Sequence, residues 1–177
     1  MKTVGQQATW VWGNLLAVPH RASIARWLPA PLRLIVGYGF MQHGFAKLSR
    51  GPDVFAVILH GLGVPAPHFM AWMTILVEIL GGLAILLGAF VRLASVPMSA
   101  VLIVAIFTVH LPYGFSSIKL ISAASRRPTF GPPGYEVDLL YLACLVALVI
   151  GGSGPLSIDE YTGRRAKNGD LKTLAKM

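Results

Sequence analysis

Apolar and polar positions alternate in long blocks rather than singly along this chain. Four blocks approach the roughly 20 residues that a helix needs to cross a bilayer core of about 30 Å. They run from Leu32 to Ser49, Phe69 to Phe90, Leu93 to Leu111 and Glu136 to Gly154. The third holds no charge, whereas in the first only residues 34 to 46 are free of charge, so Arg33 and Lys47 must snorkel or find partners. Between the second and third blocks the connection is one or two residues around Arg92, which makes those spans antiparallel neighbours. The pattern predicts an all-α four-helix transmembrane bundle over residues 32–160. It is preceded by an interfacial segment within 1–31 and followed by a basic tail, 161–177.

Composition agrees with a bilayer as the solvent. Of the 177 residues 55% are apolar and only 12% charged, where soluble domains carry nearer a quarter charged. A lone cysteine, Cys144, excludes a disulfide framework, a dithiol shuttle and a thiolate metal cage, and its apolar neighbours make it a packing residue. The net charge of +8 sits at the ends and in loops, which membrane topology explains without nucleic acid. Residues 8–28, with Trp10, Trp12 and Trp27, are broken by Gly13, Asn14 and Pro19. They read as an amphipathic segment at the lipid surface rather than a signal peptide.

Lysine and arginine also set the orientation. Ten fall on the side of the two termini and five, Lys47, Arg50, Lys119, Arg126 and Arg127, on the other. The excess of basic residues marks the cytoplasmic side, so both ends are expected there, in a multi-pass protein of the plasma membrane.

Within the spans a few ionisable groups stand out. Glu78 lies beside Gly81 and Gly82 on a face that another helix can approach closely. A carboxylate at mid-membrane costs about 3 kcal/mol on an insertion scale, while the eleven Leu, Ile, Val and Phe residues of its span return roughly 5. The span therefore inserts, and Lys47 or an imidazole is the natural partner for the carboxylate. His43 and Lys47, four apart, share one helix face. With His110 at the end of span three and Glu136 and Asp138 opening span four, these groups all fall in the outer half.

Taken together the stretches resemble the DoxX family of small four-helix membrane proteins. The matching pieces are RLIVGYGFMQHGFAKL at 33–48, EILGGLAILLGAFVRLA at 78–94, VH at 109–110 followed by GF, YEVDLLYL at 135–142 and GGSGPLSID at 151–159. They carry the patterns H-G-x-x-K, E-x-x-G-G-x5-G-x3-R and S-[IL]-D, and cover about residues 32–160 in order. The resemblance implies a membrane subunit of a quinone-linked oxidoreductase complex. The family includes the small subunit of an archaeal thiosulfate:quinone oxidoreductase, and members are linked to complexes handling sulfur and oxidative stress. A partner oxidoreductase subunit and a homo-oligomer are thereby expected as partners besides lipid. No catalytic residue is carried over from the family.

Read from the residues, Glu78, His43 and His110 are the candidate catalytic groups. The carboxylate can exchange protons during quinone chemistry and the imidazoles can pass them on near neutral pH. Lys47, Arg126 and Arg127 are the candidate substrate-binding groups, because ammonium and guanidinium groups hold anions. Quinone is the expected co-substrate, and no resident cofactor or metal is assigned. Against this stand a purely structural polar network, arginines that merely meet lipid phosphates, and two metal readings: an iron site of two histidines and a carboxylate, or a bis-histidine haem. His60 and His68 read as surface residues of the other outer loop. A small-solute or proton transporter and an assembly scaffold are the competing functions.

Overall fold

The computed structural model describes residues 25–122 and 128–165. Expectations for residues 1–24, including Trp10 and Trp12, for Arg126 and Arg127, and for residues 166–177 lie outside the described residues.

Proline sets the start of three helices. With its φ already helical and no N–H to leave unpaired, it suits the first turn. Thus α1 runs Pro29–Arg50, α2 Pro52–Gly61 and α3 starts at Pro67, continuing to Leu87. The last two helices are α4, Val91–Tyr113, and α5, Glu136–Gly151. A final helical segment covers 158–165, where Arg164 pairs with Glu160 and Arg165 lies over Tyr161. It crosses the expected boundary between the bundle and the tail at residue 160.

Two of these helices, α3 and α4, are long and apolar enough to cross a membrane. α1 has the length, with 22 residues, but Arg33, Lys47 and Arg50 interrupt its apolar character. α5 has the apolar character but only 16 residues, about 24 Å of helix. Large apolar side chains cover the outside of the molecule. On α4 alone Leu93, Val96 and Phe107 are each about 70% exposed, at 72%, 69% and 68%. A surface of that kind is stable against hydrocarbon and costly against water.

The structure differs from the sequence expectation at three places. The stretch around His60 is not loop but α2, whose Ala56 and Leu59 pack on Ala71 of α3. The signals were present: Pro52 and Asp53 in the first turn and Gly61 at the end. At the other end of the bundle the α3–α4 connection is residues 88–90, and Arg92 lies inside α4. Gly88 takes the left-handed conformation that ends a helix, at φ 65°, and Phe90 follows it at φ 51°. Finally, the fold is not purely helical, because the long α4–α5 connection contains a small antiparallel ribbon. Leu120–Ser122 pairs with Thr129–Phe130, Leu120 opposite Phe130.

Two features hold the helices in register. At the middle, Gly37 of α1 faces Gly82 of α3. A Cβ added at Gly37 would sit 2.7 Å from the Gly82 carbonyl oxygen, and one at Gly82 would sit 2.8 Å from that of Gly37. Only two glycines permit this approach, and the expected close face at Gly82 is where it occurs. Around it Val36, Phe40, Ile85, Met98, Leu145 and Leu148 form the buried core, with Cys144 packed against it.

The second feature is a polar knot at the end formed by the start of α1, the end of α3 and the 153–159 turn. Arg33 is 5% exposed, and its guanidinium donates to the carbonyls of Ile85, Leu86, Ser153, Pro155 and Leu156 at 2.9–3.3 Å. Those five bonds use all the N–H donors that an arginine has. Two acceptors lie at the C-terminal end of α3, where the helix dipole favours a cation. Asp159 completes the knot by accepting from the Phe90 and Val91 amides at 2.7 and 3.1 Å, which caps the start of α4. The Asp159 amide in turn donates to the Gly88 carbonyl at 3.0 Å.

Candidate functional site

At the opposite end of the bundle the polar residues gather around Glu78. The carboxylate lies in a π-helical turn, Val77–Gly81, inside α3. Such turns carry one extra residue per turn and swing side chains away from the α-helical register. A second π-helical turn, Ile106–His110, ends with His110 in α4. Both candidate proton-exchanging groups on the two most apolar helices therefore sit where the helix winding changes.

Lys47 answers the need of Glu78 for a partner. Its Nζ lies 2.6 Å from Oε1 and 2.7 Å from Oε2, with the Glu78 side chain 6% exposed and that of Lys47 26%. The ammonium also lies 5.3 Å from the Phe55 ring centroid, over its face. Both carboxylate oxygens and the ammonium are thus engaged, so Lys47 meets any incoming anion already neutralised. Gly44 of α1 permits the contact, since a Cβ there would come within 3.1 Å of the Glu78 Cβ.

Two cavities meet at this ion pair. The larger, about 430 Å³, lies among α1, α2, α3 and α4. Its walls are almost wholly apolar, including Phe55, Leu59, Met70, Met73 and Val104, and Lys47, Glu78 and His110 are its ionisable lining. The smaller, about 270 Å³, lies among α1, α3, α4 and α5, and its largely apolar wall carries a denser set of ionisable groups. It brings together His43, Lys47, Glu78, His110, Asp138 and Tyr141.

His43, His110, Lys47 and Glu78, chosen from sequence, thus converge. Arg126 and Arg127 fall outside the described residues. His68 stays at the surface, 3.4 Å from Asp53, and His60 lies in the last turn of α2.

The structure adds Asp138, whose Oδ2 is 3.8 Å from His110 Nε2, too long for a hydrogen bond but within ion-pair reach. His110 Nδ1 lies 3.1 Å from the Pro133 carbonyl oxygen. It also adds Tyr141, in edge-to-face contact with Phe40 at 5.6 Å. The signal for both was a polar pair recurring inside the apolar stretch VDLLYL. Among the described residues no three His, Cys, Asp or Glu side chains are grouped as a metal site.

This arrangement sits within a segment that is matched elsewhere. Residues 28–111, which include Arg33, His43, Lys47, Glu78 and His110, match the family model DoxX. Residues 28–111 are a DoxX-family domain. Among curated relatives, the Bacillus subtilis protein named "Putative oxidoreductase CatD" is 29% identical over 140 residues, which are 79% of this chain and 90% of that protein. A Mycobacterium tuberculosis protein named "Uncharacterized membrane protein Rv3486" is 29% identical over 139 residues, 76% of this chain and 81% of its own length. A Haemophilus influenzae protein is 28% identical over 131 residues, covering 73% and 86% of the two chains. No solved structure matches. The protein is accordingly a DoxX-family membrane protein in contact with lipid.

Proposed function

We propose that this protein is a membrane subunit of a quinone-linked oxidoreductase, with the quinone ring held in the apolar cavity against Lys47 and Glu78. The observation that carries this reading is the junction itself, an apolar pocket of about 430 Å³ that ends on a partly buried ion pair. Small-molecule sites have that size and that ratio of apolar wall to placed polar groups. A quinone has an apolar ring and tail and two carbonyl oxygens. Its reduction consumes two electrons and two protons, and the Lys47 ammonium and Glu78 carboxyl are the groups placed to meet a ring oxygen. Electrons come from a small reduced sulfur anion, oxidised directly or on a partner subunit. The word oxidoreductase in the name of the Bacillus relative supports this redox reading.

In this reading α1, α3, α4 and α5 all cross the bilayer with both chain ends in the cytoplasm, residues 1–31 and 161–177 flanking the bundle. Short α5 is then accommodated by a locally thinner membrane, and α2 lies at the outer surface beneath which a lipid-soluble ligand enters.

The test is binding and reduction of a short-chain quinone by the full chain in liposomes, with thiosulfate as donor. Binding that is lost in Glu78→Gln, in a protein that still melts cooperatively, supports the site. Folded protein that binds no quinone overturns it. A proton gradient dissipated by the same liposomes without any quinone chemistry would transfer the site to the transport reading.

A further inference from the structure

We infer that the smaller cavity is a proton route from Glu78 to the surface at the α4–α5 connection, with His110 and Asp138 as its outlet. The inference rests on the preceding reading only for what consumes the protons. Glu78 lies in the wall common to both cavities, together with Lys47, Val101, Ala105 and His110. One side of that wall faces the apolar pocket and the other faces a chamber whose ionisable lining is drawn from four helices. These groups are His43 and Lys47 on α1, Glu78 on α3, His110 on α4 and Asp138 and Tyr141 on α5. A volume of about 270 Å³ has room for several waters at about 30 Å³ each to join them.

The geometry of His110 makes the outlet. A carbonyl oxygen only accepts, so the contact of Nδ1 with Pro133 O places a hydrogen on Nδ1. Nε2 then faces Asp138 Oδ2 at 3.8 Å. Two bare lone pairs would repel there, so the contact is attractive when one proton sits on either atom. That proton is the transferable one, and moving it between Nε2 and Oδ2 through one bridging water leaves the Nδ1 bond intact.

The roof that orients the ring is itself well tied. Gly134, Tyr135 and Glu136 amides donate to the carbonyls of Ser116, Gly114 and Phe115 at 3.0–3.1 Å. The Ser117 amide returns a bond to Glu136 Oε2 at 3.0 Å, which occupies the remaining carboxylate near the outlet. Beneath this roof the His110 and Asp138 side chains keep 23% and 13% exposure, enough to meet water.

Each proton that the Lys47–Glu78 pair gives to a reduced ring oxygen is replaced through the chamber by one from the His110–Asp138 pair, which refills from bulk water. No electron moves along the route.

The route is testable without quinone. Full-length protein in liposomes is given a rapid pH jump while infrared absorption follows the carboxyl band that Glu78→Gln removes. The expected result is that Asp138→Asn and His110→Ala each lengthen the half-time of that band at least tenfold, and that added imidazole restores the rate in His110→Ala. A histidine serving only to hold helices together would not be rescued in this way. Unchanged half-times in either variant that keeps the wild-type melting curve overturn the route, as does a Glu78 band that never responds to pH. Lost quinone binding with these kinetics intact would instead remove the quinone reading and leave the route standing.

Discussion

Each end of the bundle holds a cation away from bulk water, Arg33 fully and Lys47 in part, and the two do so with opposite means. Arg33 is satisfied by five backbone carbonyls, groups that cannot change their protonation and are tied to the ends of α3 and the 153–159 turn. Lys47 is satisfied by one carboxylate that can, and open space lies on both sides of the pair. A cation held by fixed dipoles fixes chain geometry. A cation held by a titratable group beside two cavities can exchange its partner with a ligand. On the proposed function, the contrast separates residues that matter for folding from residues that matter for chemistry, although both kinds sit in the same sequence patterns.

The largest expected effect is at the fixed end. Arg33→Leu strips five carbonyls of their donor in a buried site and should cost on the order of 3–5 kcal/mol, read as a lower melting temperature in detergent. Arg33→Lys, with three donors instead of five, should recover less than half of it. Full stability in Arg33→Leu would erase the contrast between the ends.

At the other end Glu78→Gln keeps the size of the side chain and a hydrogen-bond acceptor for Lys47. Stability should fall by about 1–3 kcal/mol, less than in Arg33→Leu, because Lys47 loses its counter-charge, while quinone reduction falls about 10²-fold or more, the range associated with removing an acid–base group. A variant that loses stability and keeps activity would exchange the roles assigned to the two ends.

Smaller effects fall between the ends. Gly82→Ala places a methyl group against the Gly37 carbonyl and should cost about 1–3 kcal/mol as α1 and α3 separate. Because the same two helices carry Lys47 and Glu78, quinone affinity should fall with stability in that variant, and titration with a quinone analogue would check it. Asp159→Ala removes the cap of α4 and should cost about 1–2 kcal/mol without changing activity. It is the gentlest probe of the fixed end, measured by thermal melting alongside a turnover assay.

Much of the architecture was legible before the structure. The apolar blocks located α1, α3, α4 and α5 to within a few residues, because a bilayer-length apolar run leaves the backbone little choice but a helix. The need of Glu78 for a partner was legible too, Lys47 or an imidazole, since an isolated intramembrane carboxylate is expensive and these groups share the outer half, and the structure selects Lys47. Harder to read was α2. Its ten residues lie between longer apolar blocks, which easily outweigh local signals such as the Pro-Asp start and the Gly end. Arg33 was recognised as needing partners, but those partners are carbonyls, and every residue has one. No pattern of side chains could point to Ile85, Leu86, Ser153, Pro155 and Leu156. The same holds for Asp138, which looked like a helix-opening carboxylate until α5 was seen to turn it toward His110.

The sequence by itself determined the family, the helical character, the apolar exterior and which side chains were too costly to bury alone. Those properties follow from local hydropathy and from the transfer energies of individual groups, which are written in residue type and spacing. Tertiary structure alone decided that one buried arginine is locked by backbone while one buried glutamate looks into two cavities. That distinction depends on which carbonyls and which empty volumes meet each charge, and both arise only when distant helix ends pack together.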